Sequence, residues 1–199
     1  MNTYIYLVRH GEVHNPDMIY YGRLPNFGLS ENGKREIEQT GDFLKSKNLT
    51  AIYASPMLRA KQTAAIIQKK VGLDTFHLSK NLIEILTSYQ GTPFAQLDPM
   101  QSEVYLKPKH PTDETVTSMA ARMLTAVISV QKKHQGKHVA LVSHGDPAMS
   151  LQALIKKQPL IFQSIRDTAY IQHGEVRLIT INEKKHMTIQ NIFKPLRIA

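Results

Sequence analysis

Residues 3–12 read TYIYLVRHGE, and this stretch decides the fold. Its first six residues are apolar, aromatic or β-branched. They predict a short buried strand over 3–8. A polar Arg-His-Gly-acid follows directly. The same arrangement returns at residues 137–146, KHVALVSHGD, where a buried strand over 137–143 runs into His144-Gly145-Asp146. In open α/β sheets, ligands bind outside the carboxyl ends of the strands. His10 and His144 therefore both stand where such a site would lie.

Between these strands the pattern alternates. Ser30 is an N-cap for a helix through ENGKREIEQTGDFLKSK, and AIYAS (51–55) is a second short strand. Ser55-Pro56 reads as an N-cap and a Pro at the first helical position, with Gly72 just past the end of MLRAKQTAAIIQKKV. TFHLS (75–79) is a third strand, and residues 85–111 read as irregular. A long helix is expected from Asp113 to Gln135, capped by Thr112, and another from near Pro147. The remaining segments, TAYIQ (168–172), VRLITI (176–181) and MTIQNI (187–192), read as strands. Strands alternating with helices and then a hairpin imply an α/β fold with a mixed sheet.

A chain of 199 residues is long enough for one well-buried core, and no Gly/Ser-rich or Pro-rich linker divides it. The expectation is one domain over 1–199. With no cysteine, disulfide frameworks, Cys-zinc sites and Cys nucleophiles are excluded. That composition fits a reducing compartment, and with no credible signal peptide or membrane-length apolar run the expected location is cytoplasmic.

The formal net charge is +9, and a field of that sign gathers anions. The basic doublets (Lys69-Lys70, Lys132-Lys133, Lys156-Lys157, Lys184-Lys185) fall mostly at predicted helix ends or in a turn. There they serve as solvated end charges rather than a nucleic-acid track. Neither a nucleic acid nor a membrane is an expected partner.

A third His-Gly-acid word, His173-Gly174-Glu175, lies between two alternating runs and reads as a hairpin turn. Competing motifs fail. GLSENGKR (28–35) lacks the Ser/Thr and the preceding strand of a phosphate-binding P-loop, and no HExxH or Gly-x-Ser-x-Gly occurs. Arg9 beside His10 suits an anionic substrate, because a guanidinium forks onto phosphate or carboxylate oxygens. Arg59, one turn after Ser55-Pro56, would join the amides of a helix N-terminus. Taken alone, Arg59 reads as an exposed helix charge.

Taken in order, LVRHGEVHN, YYGRLPNFGLSENGKREIEQTGDFL, IYASPMLRAKQTA, NLIE, DETVTSMAAR and VALVSHGD resemble the histidine phosphatase superfamily, the phosphoglycerate-mutase-like family. The resemblance runs from residue 5 to about 150. It implies a three-layer α/β/α sandwich with a mostly parallel, mixed central sheet. It also implies His10 as the nucleophile that takes the phosphoryl group, with Arg9, Arg59 and His144 holding its oxygens. Glu84 would be the acid that protonates the leaving group. Asn15 matches a loop Asn near the phosphate, and Tyr21, Gly22 and Arg23 match the loop lining the substrate mouth. Gly145 follows His144 in the same motif. Two positions depart from the family pattern: Ser88-Tyr89-Gln90-Gly91 is one residue short, and Glu36 replaces the usual Gln.

That chemistry suits these residue types. A neutral imidazole can attack phosphorus without adding negative charge. Two arginines and a second histidine can meet the charge on the equatorial oxygens. A carboxyl of raised pKa can protonate the leaving alkoxide and then activate water. No metal or cofactor is expected.

The expected activity is a metal-independent phosphomonoester hydrolase acting on a small phosphorylated substrate, with residues 85–111 roofing the pocket. Tyr89, Gln90, His14 and Arg23 are then expected to select the leaving group. The alternatives are a cofactor-dependent phosphoglycerate mutase, a phosphohistidine-protein phosphatase and, from a different class, a catalytically silent phospholigand-binding module.

Overall fold

The computed structural model describes residues 1–166 and 169–196. Six strands form one sheet: β1 (Thr3–Arg9), β2 (Leu49–Ala54), β3 (His77–Leu78), β4 (His138–Ser143), β5 (Val176–Ile181) and β6 (Met187–Phe193). Their order is β3-β2-β4-β1-β5-β6. The first four are mutually parallel, and β5 and β6 run antiparallel at one edge. The helices are α1 (Glu31–Lys45), α2 (Leu58–Val71), α3 (Glu103–Leu106), α4 (Val116–Lys133), α5 (Gly145–Ile155) and α6 (Phe162–Arg166).

Strand periodicity divides the core in two. Successive side chains of a strand point to opposite faces. Ile5 and Leu7 of β1 enter a cluster with Met123 and Val127 of α4 and Met149 of α5. Tyr6 and Val8 enter another with Ile37 of α1 and Ala64 and Ile67 of α2. Burying one strand on both faces requires helices on both sides, and the result is the expected three-layer sandwich. A third, smaller cluster of Tyr20, Ile85, Tyr89, Val104 and Met119 packs residues 85–104 beside the end of the sheet.

Several element boundaries correct the sequence reading. Ser30 does cap α1, its side chain accepting from the Gly33 amide. Helix α2, however, starts at Leu58 with Met57 as N-cap, not at Ser55-Pro56. The Ser55 hydroxyl closes a turn ahead of the helix, accepting from the Met57 amide at 3.3 Å while lying 2.7 Å from His144 Nε2. Helix α4 is capped by Thr115, whose side chain and that of Ser118 each accept the other's backbone amide. Residues 113 and 114 fall outside the helix because Asp113 and Glu114 bind the backbone of residues 86–88.

The expected strand at 75–79 shrinks to two residues, and 169–172 forms no strand. Residue 168 of that expectation lies outside the described residues. The β5–β6 hairpin turns at 182–186, so His173-Gly174 is a turn but not that hairpin's turn.

Candidate active site

The register of β1 and β4 pairs Arg9 with Ser143, which sets His10 beside His144 at adjacent carboxyl ends. The His10 amide donates to Ser143 O (3.0 Å), and the Ser55 amide donates to Val142 O (2.9 Å). Three parallel strands thus deliver His10, His144 and Ser55 in a row. Helix α5 begins immediately after His144, so its unpaired N-terminal amides face the same crevice. Gly145 is required there, since a Cβ would lie 2.1 Å from Tyr170 Oη.

His10 is 1% exposed. Its Nδ1 lies 2.8 Å from Gly11 O, an acceptor, so the ring proton sits on Nδ1 and the lone pair on Nε2. Arg59 Nε donates to that lone pair at 3.2 Å. Burial, then Arg59, His144, His173 and Arg9, hold the imidazole well below its ordinary pKa, so it is neutral. His144 is likewise held down, by burial first and then by Arg59. The Met57 amide donates to Ser55 Oγ (3.3 Å), which leaves the hydroxyl proton to point at His144 Nε2. The imidazole proton then stands on Nδ1, facing the cavity.

Arg59 is fully buried, which overturns its reading as an exposed helix charge. Its Nη2 donates to Gly22 O (2.8 Å) and lies 3.7 Å from Glu84 Oε2. Its guanidinium packs over Tyr21, 4.8 Å from the ring centre. Glu84 Oε2 also lies 3.6 Å from His144 Nδ1. Burial raises the Glu84 pKa and Arg59 lowers it; burial wins. Arg9 Nη1 donates to Ile171 O at 2.8 Å.

Arg9 Nε, Arg59 Nη1 and His144 Nδ1 are buried without a hydrogen-bond partner among the described residues. An unmet buried polar group costs about 1–3 kcal/mol. Three such groups around His10, whose ring lies 5.1 Å from that of His144 and whose Nε2 lies 3.2 Å from Arg59 Nε, can meet an anion's oxygens. His10, Glu84 and His144 also bring ligand-type atoms within 4.8 Å of one another, the only such cluster among the described residues. The Arg59 guanidinium stands against two of the three, which opposes a cation and favours an anion there.

The crevice opens into a cavity of about 390 Å³. Tyr21, Gly22 and Gly145 line it, as expected from sequence. Asn15, Arg23 and Tyr89 lie outside its lining, as do His10, Arg59 and His144 behind it. Both polar atoms of the Asn15 side chain bond the Ile19 backbone and tie the loop. Arg23 donates to Glu84 O (2.7 Å) and pairs with Glu114 (2.8 Å), bracing Glu84 from behind. Tyr89 is a buried prop whose hydroxyl donates to Lys107 O (2.7 Å). Gln90 accepts from the Arg23 amide (2.7 Å), and His14 is exposed outside the cavity.

Sequence reasoning missed Tyr20, Phe94, Asp146, Arg166 and Tyr170, which complete the cavity wall. It also missed His173, whose ring stands 5.6 Å from that of His10. Gly174, at φ +66°, donates its amide to Arg9 O (3.1 Å), so this turn backs the first His-Gly. An Arg-His-Gly at a strand end could have pointed to its neighbours, but nothing in the local sequence around 166–173 marks it as part of the site.

A model of the histidine phosphatase superfamily (branch 1) matches residues 5–190. The chain belongs to the histidine phosphatase superfamily. It is an enzyme of the phosphatase type. An uncharacterized protein of Mycobacterium tuberculosis, Rv0525, is 36% identical over 156 residues, covering 75% of this chain and 77% of that one. The uncharacterized phosphatase PhoE of Bacillus subtilis is 27% identical, covering 72% of each chain. Among solved structures, the mycobacterial glucosyl-3-phosphoglycerate phosphatase Rv2419c superposes with a TM-score of 0.80 at 20% identity, covering 98% of this chain and 99% of that one. That mycobacterial phosphatase therefore shares this fold. Among the described residues, no helix is long and apolar enough to cross a membrane.

Proposed function

We propose that this chain is a metal-independent phosphomonoester hydrolase that works through a phosphohistidine at His10. One observation carries the reading: a neutral imidazole with its lone pair on Nε2 is buried beside three unpartnered donors, Arg9 Nε, Arg59 Nη1 and His144 Nδ1. In the first step His10 Nε2 bonds to phosphorus as the ester P–O bond breaks, and the Glu84 carboxyl gives its proton to the leaving oxygen. Arg59 turns from the His10 lone pair to a phosphoryl oxygen as substrate arrives. In the second step water attacks the phosphohistidine, Glu84 takes its proton, and inorganic phosphate leaves. Arg9, Arg59, His144 and the N-terminus of α5 stabilise the charge on the phosphoryl oxygens in both steps. Residues 85–111 roof the cavity through Phe94, Pro99, Met100 and Gln101.

The test is hydrolysis of 4-nitrophenyl phosphate. Activity should survive a chelator and fall by at least about 10³ in His10→Ala. Acid-quenched enzyme caught in turnover should carry phosphate on His10 and none on His173. Full activity in the His10 variant, or label on another residue, overturns the reading.

A further inference from the structure

The end of the cavity away from the histidines has an unusual electrostatic state. Its one cation among the described lining residues, apart from Arg9, is Arg166 at the end of α6. Each of its three guanidinium nitrogens has a partner. Nη1 and Nη2 both bind the Asp146 carboxylate, and Nε donates to Met100 O at 3.2 Å. Asp146 is saturated in turn. Beside Arg166 it accepts from Tyr105 Oη (2.5 Å) and Tyr170 Oη (2.6 Å), and it is 4% exposed. The guanidinium is also enclosed by the rings of Tyr105, Phe162 and Tyr170, at 4.9–5.9 Å.

Charge therefore cancels within the Asp146–Arg166 pair, and the remaining lining cation, Arg9, is the one the phosphoryl group takes. A substrate carboxylate would enter beside Asp146 and find its natural partner already bound. Lost solvation without a compensating pair then weighs against its binding. The rest of the lining carries the flat rings of Tyr20, Phe94 and Tyr170 beside Pro99, Met100 and the uncharged Gln101. Tyr20 and Phe94 meet edge-on at 6.3 Å. Such surfaces favour a ring-shaped, uncharged group.

We infer that the leaving group this site accepts is an uncharged, ring-bearing alcohol, and that the Asp146–Arg166 pair excludes phosphate esters carrying a second anionic group. This inference rests on the phosphomonoesterase reading above. It separates the chain from its structural neighbour named for a phosphoglycerate ester, whose substrate bears a carboxylate.

The test uses two esters of matched shape, benzyl phosphate and 4-carboxybenzyl phosphate. In the wild type, kcat/KM should favour benzyl phosphate by about tenfold or more. Asp146→Asn releases the Arg166 charge into the cavity and should shift the ratio toward the carboxylated ester by about tenfold. Arg166→Met exposes the Asp146 charge and should shift it the opposite way. A purely structural role would lower both esters alike and leave the ratio fixed, so reduced folding in either variant still gives a readable ratio. Preference of the wild type for the carboxylated ester, or an unmoved ratio in both variants, overturns the inference. His10-independent or absent hydrolysis of both esters instead overturns the phosphatase reading beneath it.

Discussion

At the scale of the single residue, Glu84 shows two opposed effects in balance. Its carboxylate lies 3.7 Å from the Arg59 guanidinium, which favours ionisation, yet burial prevails and the pKa is raised. A carboxyl of raised pKa beside a leaving oxygen is suited to general-acid work, and its value depends on how poor the leaving group is. Glu84→Gln should therefore lower kcat/KM for an alkyl phosphate by about 10²–10⁴ and for 4-nitrophenyl phosphate far less. The alkaline limb of the alkyl-ester pH profile, which reports loss of the Glu84 proton, should disappear in the variant. Equal losses on the two esters would count against Glu84 as the acid. His10 and His144 were legible because each directly follows a buried strand, whereas Arg59, taken alone an exposed helix charge, entered only through the family resemblance. Arg166 and Asp146 carry no local signal. They meet across twenty residues, and only the packing of α6 on α5 brings them together.

At the scale of elements, the short segment 80–86 that carries Glu84 belongs to no regular strand and is held by α4 and its preceding turn. Arg122 donates to Asn81 O (3.0 Å), Ile83 O (2.6 Å) and Glu84 O (3.2 Å). Glu114 bridges Arg23 and Arg122 and accepts from the Leu86 amide. These groups are partly exposed, so Glu114→Gln should cost only about 1–2 kcal/mol of stability after solvent screening. Its diagnostic effect lies elsewhere. As a positioning residue for Glu84, it should lower kcat on alkyl esters more than on aryl esters, with KM little changed. A fall in Tm with unchanged leaving-group dependence would mark Glu114 as merely structural. This dependence explains why the helix expected from Asp113 begins three residues later. Cap propensity was readable from the sequence, but the competing use of Asp113 and Glu114 was not, because their partners lie about 25–30 residues upstream. The central strands were legible because burial on both faces leaves a continuous apolar run. The segment 169–172 alternates like a strand, but it walls the site with Tyr170 and Ile171 O instead of joining the sheet.

At the scale of the whole molecule, the net charge of +9 is divided by function. Exposed lysines stand in the last turns of α1, α2 and α4, where they oppose the helix dipoles. Arginines 9 and 166 line the cavity, and Arg59 is buried beside His10. The site's own histidines then set how the fold responds to acid. His10 and His144 have folded pKa values well below the ordinary 6.5, so the unfolded chain binds protons first as pH falls. Their contribution to stability is complete above about pH 6.5 and is lost as pH falls from there toward the folded values. Each can remove up to about 1.4 kcal/mol per pH unit in that window. Glu84 acts in the opposite sense: its raised pKa stabilises below the ordinary carboxylate value and is lost as pH rises through the folded one. Asp146, held below 3.8 by its Arg166 partner against the pull of burial, loses its contribution only at still lower pH. Between pH 7 and 5 the histidines dominate, with His134 and His138 adding smaller effects of the same sign. Chemical denaturation across this range should show unfolding free energy falling toward acid, and His10→Gln should flatten that slope by about one histidine's share. Inorganic phosphate should raise the stability of the wild type, by about 2.7 kcal/mol at a hundredfold excess over Kd, because it meets the three unpartnered donors. An identical pH slope in the variant would show that His10 takes up its proton equally in the folded and unfolded chain, and so that burial does not hold its imidazole neutral.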